Sequence, residues 1–163
     1  MITMQRALAA AAMAAGLLAA AGGAGAQDYS QRPTYGTANL SSGFMPDPYR
    51  RDLESGGPID AARISGGQCQ GFIANAPDFR LNWRAGDGSL PLVLSVISAT
   101  DTTLVVNGPD GRWYCDDDGG NNGLNPSLVF RRPASGQYDI WVGTYGRAAL
   151  AGARLEISEL YSQ

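Results

Sequence analysis

DTTLVVNGPDGRWYCDDDGGNNGLNPSLVFRRPASGQYDIWVGTY, residues 101–145, is the stretch of sequence that decides the fold. Short apolar segments in it alternate with clusters of Gly, Pro, Asn and Asp, which is typical of strands joined by turns. Read in order, the stretch gives strand, turn, strand, acidic loop, strand, turn and strand. No helical periodicity fits these residues. They therefore predict antiparallel β structure.

The residues on either side continue the same pattern. Phe79, Leu81 and Trp83 alternate with polar neighbours, which predicts a strand with one buried face. Residues 90–97 are apolar at nearly every position and predict a central strand that is covered on both faces. Residues 153–157 supply a last alternating strand. Short strands at this spacing predict an all-β fold, an antiparallel β-sandwich with jelly-roll-like topology.

Four features of this pattern resemble the bacterial pre-peptidase C-terminal domain family. They are a D-x-x-L strand at 101–104, a P-D-G turn at 109–111, an acidic loop at 116–118 and a closing G-x-Y-x-[IL]-x-V strand at 136–142. The resemblance covers residues 63–163. It implies a sandwich fold, and it suggests a module that accompanies exported peptidases, with the calcium binding known in related sandwich domains.

The N-terminal residues predict an exported protein. Arg6, an apolar run over residues 7–21 and the small residues Ala24-Gly25-Ala26 predict a cleaved signal peptide at 1–26. Residues 27–62 form a Pro/Gly/Ser-rich leader, which either trails loose or pairs with the sandwich domain at 63–163. We therefore expect a periplasmic or secreted location and no membrane span after cleavage.

Two cysteines, Cys69 and Cys115, lie in the exported part. An oxidising compartment and an even cysteine count predict one disulfide between them. A catalytic thiol is the rival interpretation, but the chain has no His to activate it. Two thiolates without His also leave a structural zinc site incomplete.

Composition excludes several classes of function. The chain has no His, all twelve of its basic residues are Arg, and its net charge is −3. Ser-His-Asp, Cys-His and Ser-Lys catalysis therefore lack their bases, so a peptidase activity suggested by family association has no catalytic triad. A net negative charge also provides no excess of basic side chains for binding the phosphates of nucleic acid.

The acidic loop predicts a calcium site. Asp116, Asp117, Asp118, Asn121 and Asn125 place carboxylate and amide oxygens within ten residues, which suits a hard cation such as Ca²⁺. The spacing does not match an EF-hand loop. The alternative is a solvated turn rich in Asp and Asn, whose side chains bond to their own backbone.

Asp101 has two candidate roles. It either caps the turn at Ala99-Thr100, which we favour, or adds an oxygen to the calcium site of the acidic loop.

The three tryptophans differ in predicted exposure. Trp83 continues the apolar face of its strand, and Trp113 has the same parity as Cys115, so we expect both to pack beneath the sheets. Trp141 alternates with apolar neighbours, which makes it the candidate for an exposed binding aromatic.

We expect a non-catalytic exported module, a monomer, that binds an envelope or extracellular protein or polysaccharide. The alternative is a small secreted hydrolase that uses acidic residues. Asp116 and Asp118 would then share a strand face and form the carboxylate pair. A calcium-lined loop favours the module, whereas a cleft with two carboxylates favours the hydrolase.

Overall fold

The computed structural model describes residues 30–87 and 90–161, so the predicted signal peptide lies outside the described residues. Within these ranges the chain forms eleven strands and one helical turn. They are β1 (Thr37–Ser41), β2 (Tyr49–Ser55), β3 (Ile59–Asp60), α1 (Ala61–Ile64), β4 (Phe72–Ile73), β5 (Phe79–Arg84), β6 (Leu92–Ser98), β7 (Thr102–Asn107), β8 (Trp113–Asp116), β9 (Ser127–Phe130), β10 (Gly136–Thr144) and β11 (Ala151–Ser158). The predicted all-β sandwich is confirmed.

The first sheet is organised around β10. On one side β10 pairs with β5, and on the other it pairs with β7, which in turn pairs with β8. Near its end β10 also meets β4, which carries β3 beside it. All these pairs are antiparallel, whereas β1 joins the edge of β5 in parallel.

The second sheet has the order β2-β11-β6-β9, with antiparallel pairing throughout. Strand β6 lies between two neighbours, and its residues from Leu92 to Val96 are all buried. Its apolar character on both faces is therefore explained by a central position in a sheet whose outer face is also partly covered.

The main core fills the space between the two sheets. Its largest side chains are fully or almost fully buried and come from strands of both sheets: Phe79, Leu81, Leu92, Leu94, Leu104, Tyr138, Ile140, Leu155 and Ile157. The alternating residues that predicted β5 and β10 supply this face, as strand geometry requires.

The leader residues contribute strands to both sheets, so the leader pairs with the sandwich domain. Strand β1 extends the first sheet, and β2 pairs with β11 along the edge of the second. The turn between them is tied to the end of β11. There the Glu159 carboxylate accepts bonds from the Ser42 hydroxyl and the Gly43 N–H at 2.7 and 2.6 Å, and Glu159 N–H donates to the Asp47 carboxylate at 3.0 Å.

A second cluster of buried residues lies on the outer face of the first sheet. It contains Ala61, Cys69, Ile73, Val105 and Trp141, with Ile59, Ile64, Trp113 and Cys115 packed against it. Residues 59–73, which include β3, α1 and β4, form a cover over this face. We call this set of side chains the outer cluster and residues 59–73 the cover.

Two glycines allow the cover to lie close to the sheet. A Cβ atom at Gly143, on the outer face of β10, would overlap Thr103 and approach Ile73 and the Phe72 carbonyl. A Cβ atom at Gly71 would overlap the same Thr103 side chain. The missing side chains therefore let β4 reach the end of β10 and pair with it.

Candidate functional site

Several loops meet at one end of the sandwich, which we call the loop end. It is formed by residues 56–58 after β2, 99–101 between β6 and β7, 117–126 between β8 and β9, and 145–150 between β10 and β11. The acidic loop belongs to this end. Because loops on a rigid β scaffold commonly carry binding residues, the side chains here are the first candidates for function.

Asp116 closes the acidic loop. Its Oδ2 accepts hydrogen bonds from the Gly119 N–H at 2.7 Å and the Ser127 N–H at 2.8 Å. A carboxylate that bonds to backbone donors of its own turn is the arrangement expected of an Asp-rich turn. This contact supports a structural role for Asp116.

Asn125 is buried and holds the base of the loop. Its Oδ1 accepts from the Thr102 hydroxyl at 2.7 Å, and its Nδ2 donates to the Ser98 carbonyl at 2.9 Å. Asn122 Oδ1 accepts from the Leu124 N–H at 3.2 Å, while Asn121 is exposed in the same loop. Asn125 therefore connects β6, β7 and the acidic loop.

Asp101 lies near the outer part of the acidic loop. Burial raises the pKa of its carboxyl group above the usual value, and the nearby charges of Asp118 and Asp117 raise it further. One of its carboxylate oxygens, Oδ1, is buried without a hydrogen-bond partner. In the turn at Ala99-Thr100, the Thr100 N–H donates to the Ser98 hydroxyl at 3.1 Å.

These carboxylates concentrate negative charge at the loop end. Among the described residues, no ion pair joins Asp101, Asp117 or Asp118 to an Arg. In residues 30–87 and 90–161, no three His, Cys, Asp or Glu side chains form a group able to hold a metal ion. Calcium binding at the acidic loop stays a prediction.

The carboxylate pair of the hydrolase alternative does not lie on one strand. Strand β8 ends at Asp116, and Asp118 follows in a bend. The prediction that Asp116 and Asp118 share a strand face is therefore wrong, because the chain leaves the sheet one residue after Asp116.

An apolar groove lies beside the acidic loop at the same end. Gly57, Pro58, Ala148, Ala149 and Leu150 line it. Leu150 is 67% exposed although it is a large aliphatic residue. Its side chain is therefore available for contact with another molecule.

The backbone around this groove is fixed by close packing. The Thr144 hydroxyl donates to the carbonyls of Arg147 and Ala149, at 2.8 and 3.2 Å. Gly56 has a φ of +99°, and a Cβ atom there would overlap the Ala149 carbonyl. Only glycine suits that position, so the two walls of the groove are held against each other.

Backbone hydrogen bonds connect the groove to the acidic loop. The Tyr145 N–H donates to the Asp101 carbonyl, and the Thr102 N–H donates to the Leu124 carbonyl, each at 3.1 Å. Tyr145 and Leu124 are 43% and 52% exposed. The loop end therefore carries exposed apolar side chains and carboxylates on loops that are bonded to one another.

Trp141 is completely buried, so the prediction of an exposed binding aromatic is wrong. The period-2 pattern places it on the outer face of β10 as expected, but the cover packs over that face. Its ring lies 5.5 Å from the ring of Trp113. Trp83 packs in the main core as expected, but the expectation that Trp113 packs beneath the sheets is wrong, because Trp113 packs in the outer cluster.

The predicted disulfide between Cys69 and Cys115 is confirmed. It joins the cover to β8, with the two Cα atoms 5.4 Å apart and a sequence separation of 46. The bridge lies beside a small polar recess that is lined by Gln68, Gln70, Thr103, Asp116 and Asp117. The disulfide therefore connects the outer cluster to the base of the acidic loop.

Sequence reasoning missed the apolar groove. Within the sequence, residues 56–58 and 145–150 carry no pattern that predicts a binding site. The available signal was an apolar residue, Leu150, next to a glycine-containing loop, but sequence alone does not show that these two loops touch.

No family model matches the chain, and no curated protein matches it. One solved structure that is similar to it is that of Aeromonas hydrophila PliG, described as a periplasmic lysozyme inhibitor of g-type lysozyme. The match has a TM-score of 0.36 and 13% sequence identity, and it covers 75% of this chain and 96% of PliG. Values this low assign neither a fold nor a partner to the chain.

No helix in the described ranges is long and apolar enough to cross a membrane.

Proposed function

We propose that this chain is an exported, non-catalytic β-sandwich module that binds an envelope or extracellular protein through its loop end. The observation that carries the proposal is the surface formed by the apolar groove and the neighbouring carboxylates. Its backbone is held by the Thr144 bonds and by the close approach of Gly56 to Ala149. A surface that is ordered before binding loses less conformational entropy when a partner docks.

Composition supports a binding role over a catalytic one. The chain has no His and no Lys, so the common bases that activate a Ser or Cys nucleophile are missing from its sequence. Asp116, the first residue of the suggested carboxylate pair, bonds to two backbone N–H groups of its own loop. The disulfide supports an oxidising location.

The proposal is tested with the purified, disulfide-bonded chain. Exported proteins of the source organism are passed over the immobilised chain, and each captured protein is purified and measured again by calorimetry. We expect a partner that binds with a fixed stoichiometry, and no hydrolysis of casein, esters or glycosides. Hydrolysis that persists through purification and disappears in Asp118→Asn would overturn the proposal in favour of a hydrolase.

A further inference from the structure

We infer that the loop end docks a cationic protein segment that inserts an aliphatic or aromatic side chain into the apolar groove between Pro58 and Leu150. The inference rests on the proposed function and names the chemistry of the partner. It is carried by the combination of an exposed apolar groove with negative charge that no Arg of this chain neutralises by an ion pair in the described residues.

The groove determines which side chain fits. Its lining residues are Gly57, Pro58, Ala148, Ala149 and Leu150, so it offers apolar contact and few polar groups. Burial of a leucine-sized side chain stabilises a complex by about 1.5–3 kcal/mol. A polar side chain would lose its hydration in the same place without gaining hydrogen bonds.

The carboxylates determine the charge of the partner. Asp117 and Asp118 follow Asp116 in the acidic loop, and their charges add to burial in raising the pKa of Asp101. An Arg or Lys from a partner relieves this repulsion, and it also speeds association at low ionic strength. Complementary charge beside an apolar pocket is a common arrangement at protein interfaces.

The groove and the carboxylates lie on loops that are bonded to each other. Tyr145 follows the end of β10 and bonds to the Asp101 backbone, while Leu150 ends the same loop. Arg147 lies exposed between them and opposes a cationic partner. This residue provides a substitution that should improve binding.

The test uses short cyclic peptides and the ¹⁵N-labelled, disulfide-bonded chain. The first peptide has a central Leu flanked by Arg, the second has the same Leu flanked by Glu, and the third has Ser between the Arg residues. We expect the first to shift the amide signals of residues 145–150 and of Asp101, Asp117 and Asp118. The second should leave them in place, and the third should bind at least about tenfold more weakly, since it lacks the apolar contact.

Variants of the chain separate charge from shape. Asp117→Asn combined with Asp118→Asn should lower the affinity for the first peptide by about fivefold at low salt. This is the effect expected from the loss of two exposed ion pairs. The matched control, Asp52→Asn with Asp110→Asn, removes the same net charge elsewhere and should leave affinity unchanged. Leu150→Asp should abolish binding, and Arg147→Glu should strengthen it, a gain that misfolding does not produce.

Equal shifts from the Arg and Glu peptides, no shift at millimolar peptide, or signals that move only at other residues would overturn the inference. Self-association of the chain in place of peptide binding would also overturn it. Its failure is distinguishable from failure of the proposed function. A purified partner protein whose affinity is unchanged by Leu150→Asp supports the module and overturns the docking site.

Discussion

The two faces of β10 are buried in different ways. On the inner face, Tyr138, Ile140 and Val142 pack against the second sheet in the main core. On the outer face, Trp141 is just as inaccessible, but it is covered by residues 59–73 and held there by a disulfide. The strand thus has one face that packs in the sandwich core and another that needs a separate segment.

The comparison shows that parity along a strand predicts the side to which a residue points, not whether that side is exposed. Any two-sheet sandwich buries the inner face, because each sheet covers the other. Burial of the outer face depends on Gly71 and Gly143, which admit the cover, and on the cross-link that retains it.

The largest effect is expected in the main core. Phe79 is fully buried on the inner face of β5, and Phe79→Ala should lower the free energy of unfolding by about 3–5 kcal/mol. Denaturant titration measures this loss. The emission of Trp113 and Trp141 should stay unchanged in the variant, because the outer cluster keeps its cover, whereas Trp83 shares the main core with Phe79. A loss below about 1 kcal/mol would contradict a core that is shared by both sheets.

Loss of the disulfide should affect the outer face first. The chain-entropy model assigns about 4 kcal/mol to a loop of this length, and strain or residual structure reduces that value. The double variant Cys69→Ser, Cys115→Ser should therefore be less stable by about 2–4 kcal/mol. Its native tryptophan emission should shift to the red as Trp141 and Trp113 become hydrated.

Ile73→Ala and Phe79→Ala serve as controls for the disulfide variant. Ile73 is in the outer cluster, so its effect should shrink when the cysteines are replaced, whereas the effect of Phe79→Ala should add independently. If both substitutions combine additively with the loss of the disulfide, the two faces are not energetically distinct.

Asp78 precedes β5 and bonds through its side chain to the backbone of β10. This residue should make the stability of the fold depend on pH. Its buried carboxylate accepts the Val142 N–H at 2.7 Å where β10 passes beyond the end of β5, and burial raises its pKa to about 7. The folded protein therefore retains a proton that the unfolded chain releases near pH 4. Stability should fall as pH rises from about 4 to about 7 and change little above that range.

The size of the Asp78 effect is a few kcal/mol, since one pKa unit corresponds to about 1.36 kcal/mol. Urea titrations across this pH range measure it. Asp78→Asn keeps an oxygen that accepts the Val142 N–H and should remove this component of the slope. Glu156, buried beside Arg50, supplies a comparison, and Glu156→Gln should leave the Asp78 component in place. If the free energy of unfolding of Asp78→Asn still falls over this pH range, the titrating group is a different residue.

Calcium should have the smallest effect. Ca²⁺ bound to the acidic loop should stabilise the folded chain and so raise its melting temperature. At a Ca²⁺ concentration about 100 times Kd, the free energy of unfolding should rise by about 2.7 kcal/mol. Asp118→Ala should remove the rise, with Asp110→Ala as the control. Asp116→Ala is a poor test because it also breaks the loop's own hydrogen bonds. Identical melting temperatures in chelator, Ca²⁺ and matched Mg²⁺ would contradict the calcium site and indicate a solvated turn.

The features that sequence predicted are those set by local pattern. Alternation identified Phe79, Leu81 and Trp83 as an inner face, and cysteine count predicted the bridge from Cys69 to Cys115. The errors concern contacts between distant segments. Trp141 was predicted to be exposed because nothing in the alternation of β10 indicates that residues 59–73 return to cover it.

The candidate site shows the same limit. Composition marked the acidic loop, but the groove arises from the contact of Gly56 and Pro58 with residues 148–150, more than eighty positions away in the chain. The roles of Asp116 and Asn125 in holding the loop also depend on Ser127, Thr102 and Ser98, which are partners that composition does not reveal.

The lack of a side chain at Gly143 has a consequence for related sequences. A larger residue there would keep β4 away from β10 and so remove the cover from this sheet. A cross-link from the cover to β8 would then have nothing to retain. Across relatives of this chain, Gly143, Cys69 and Cys115 should therefore appear and disappear together, and this covariation would mark which of them bury the tryptophan of β10.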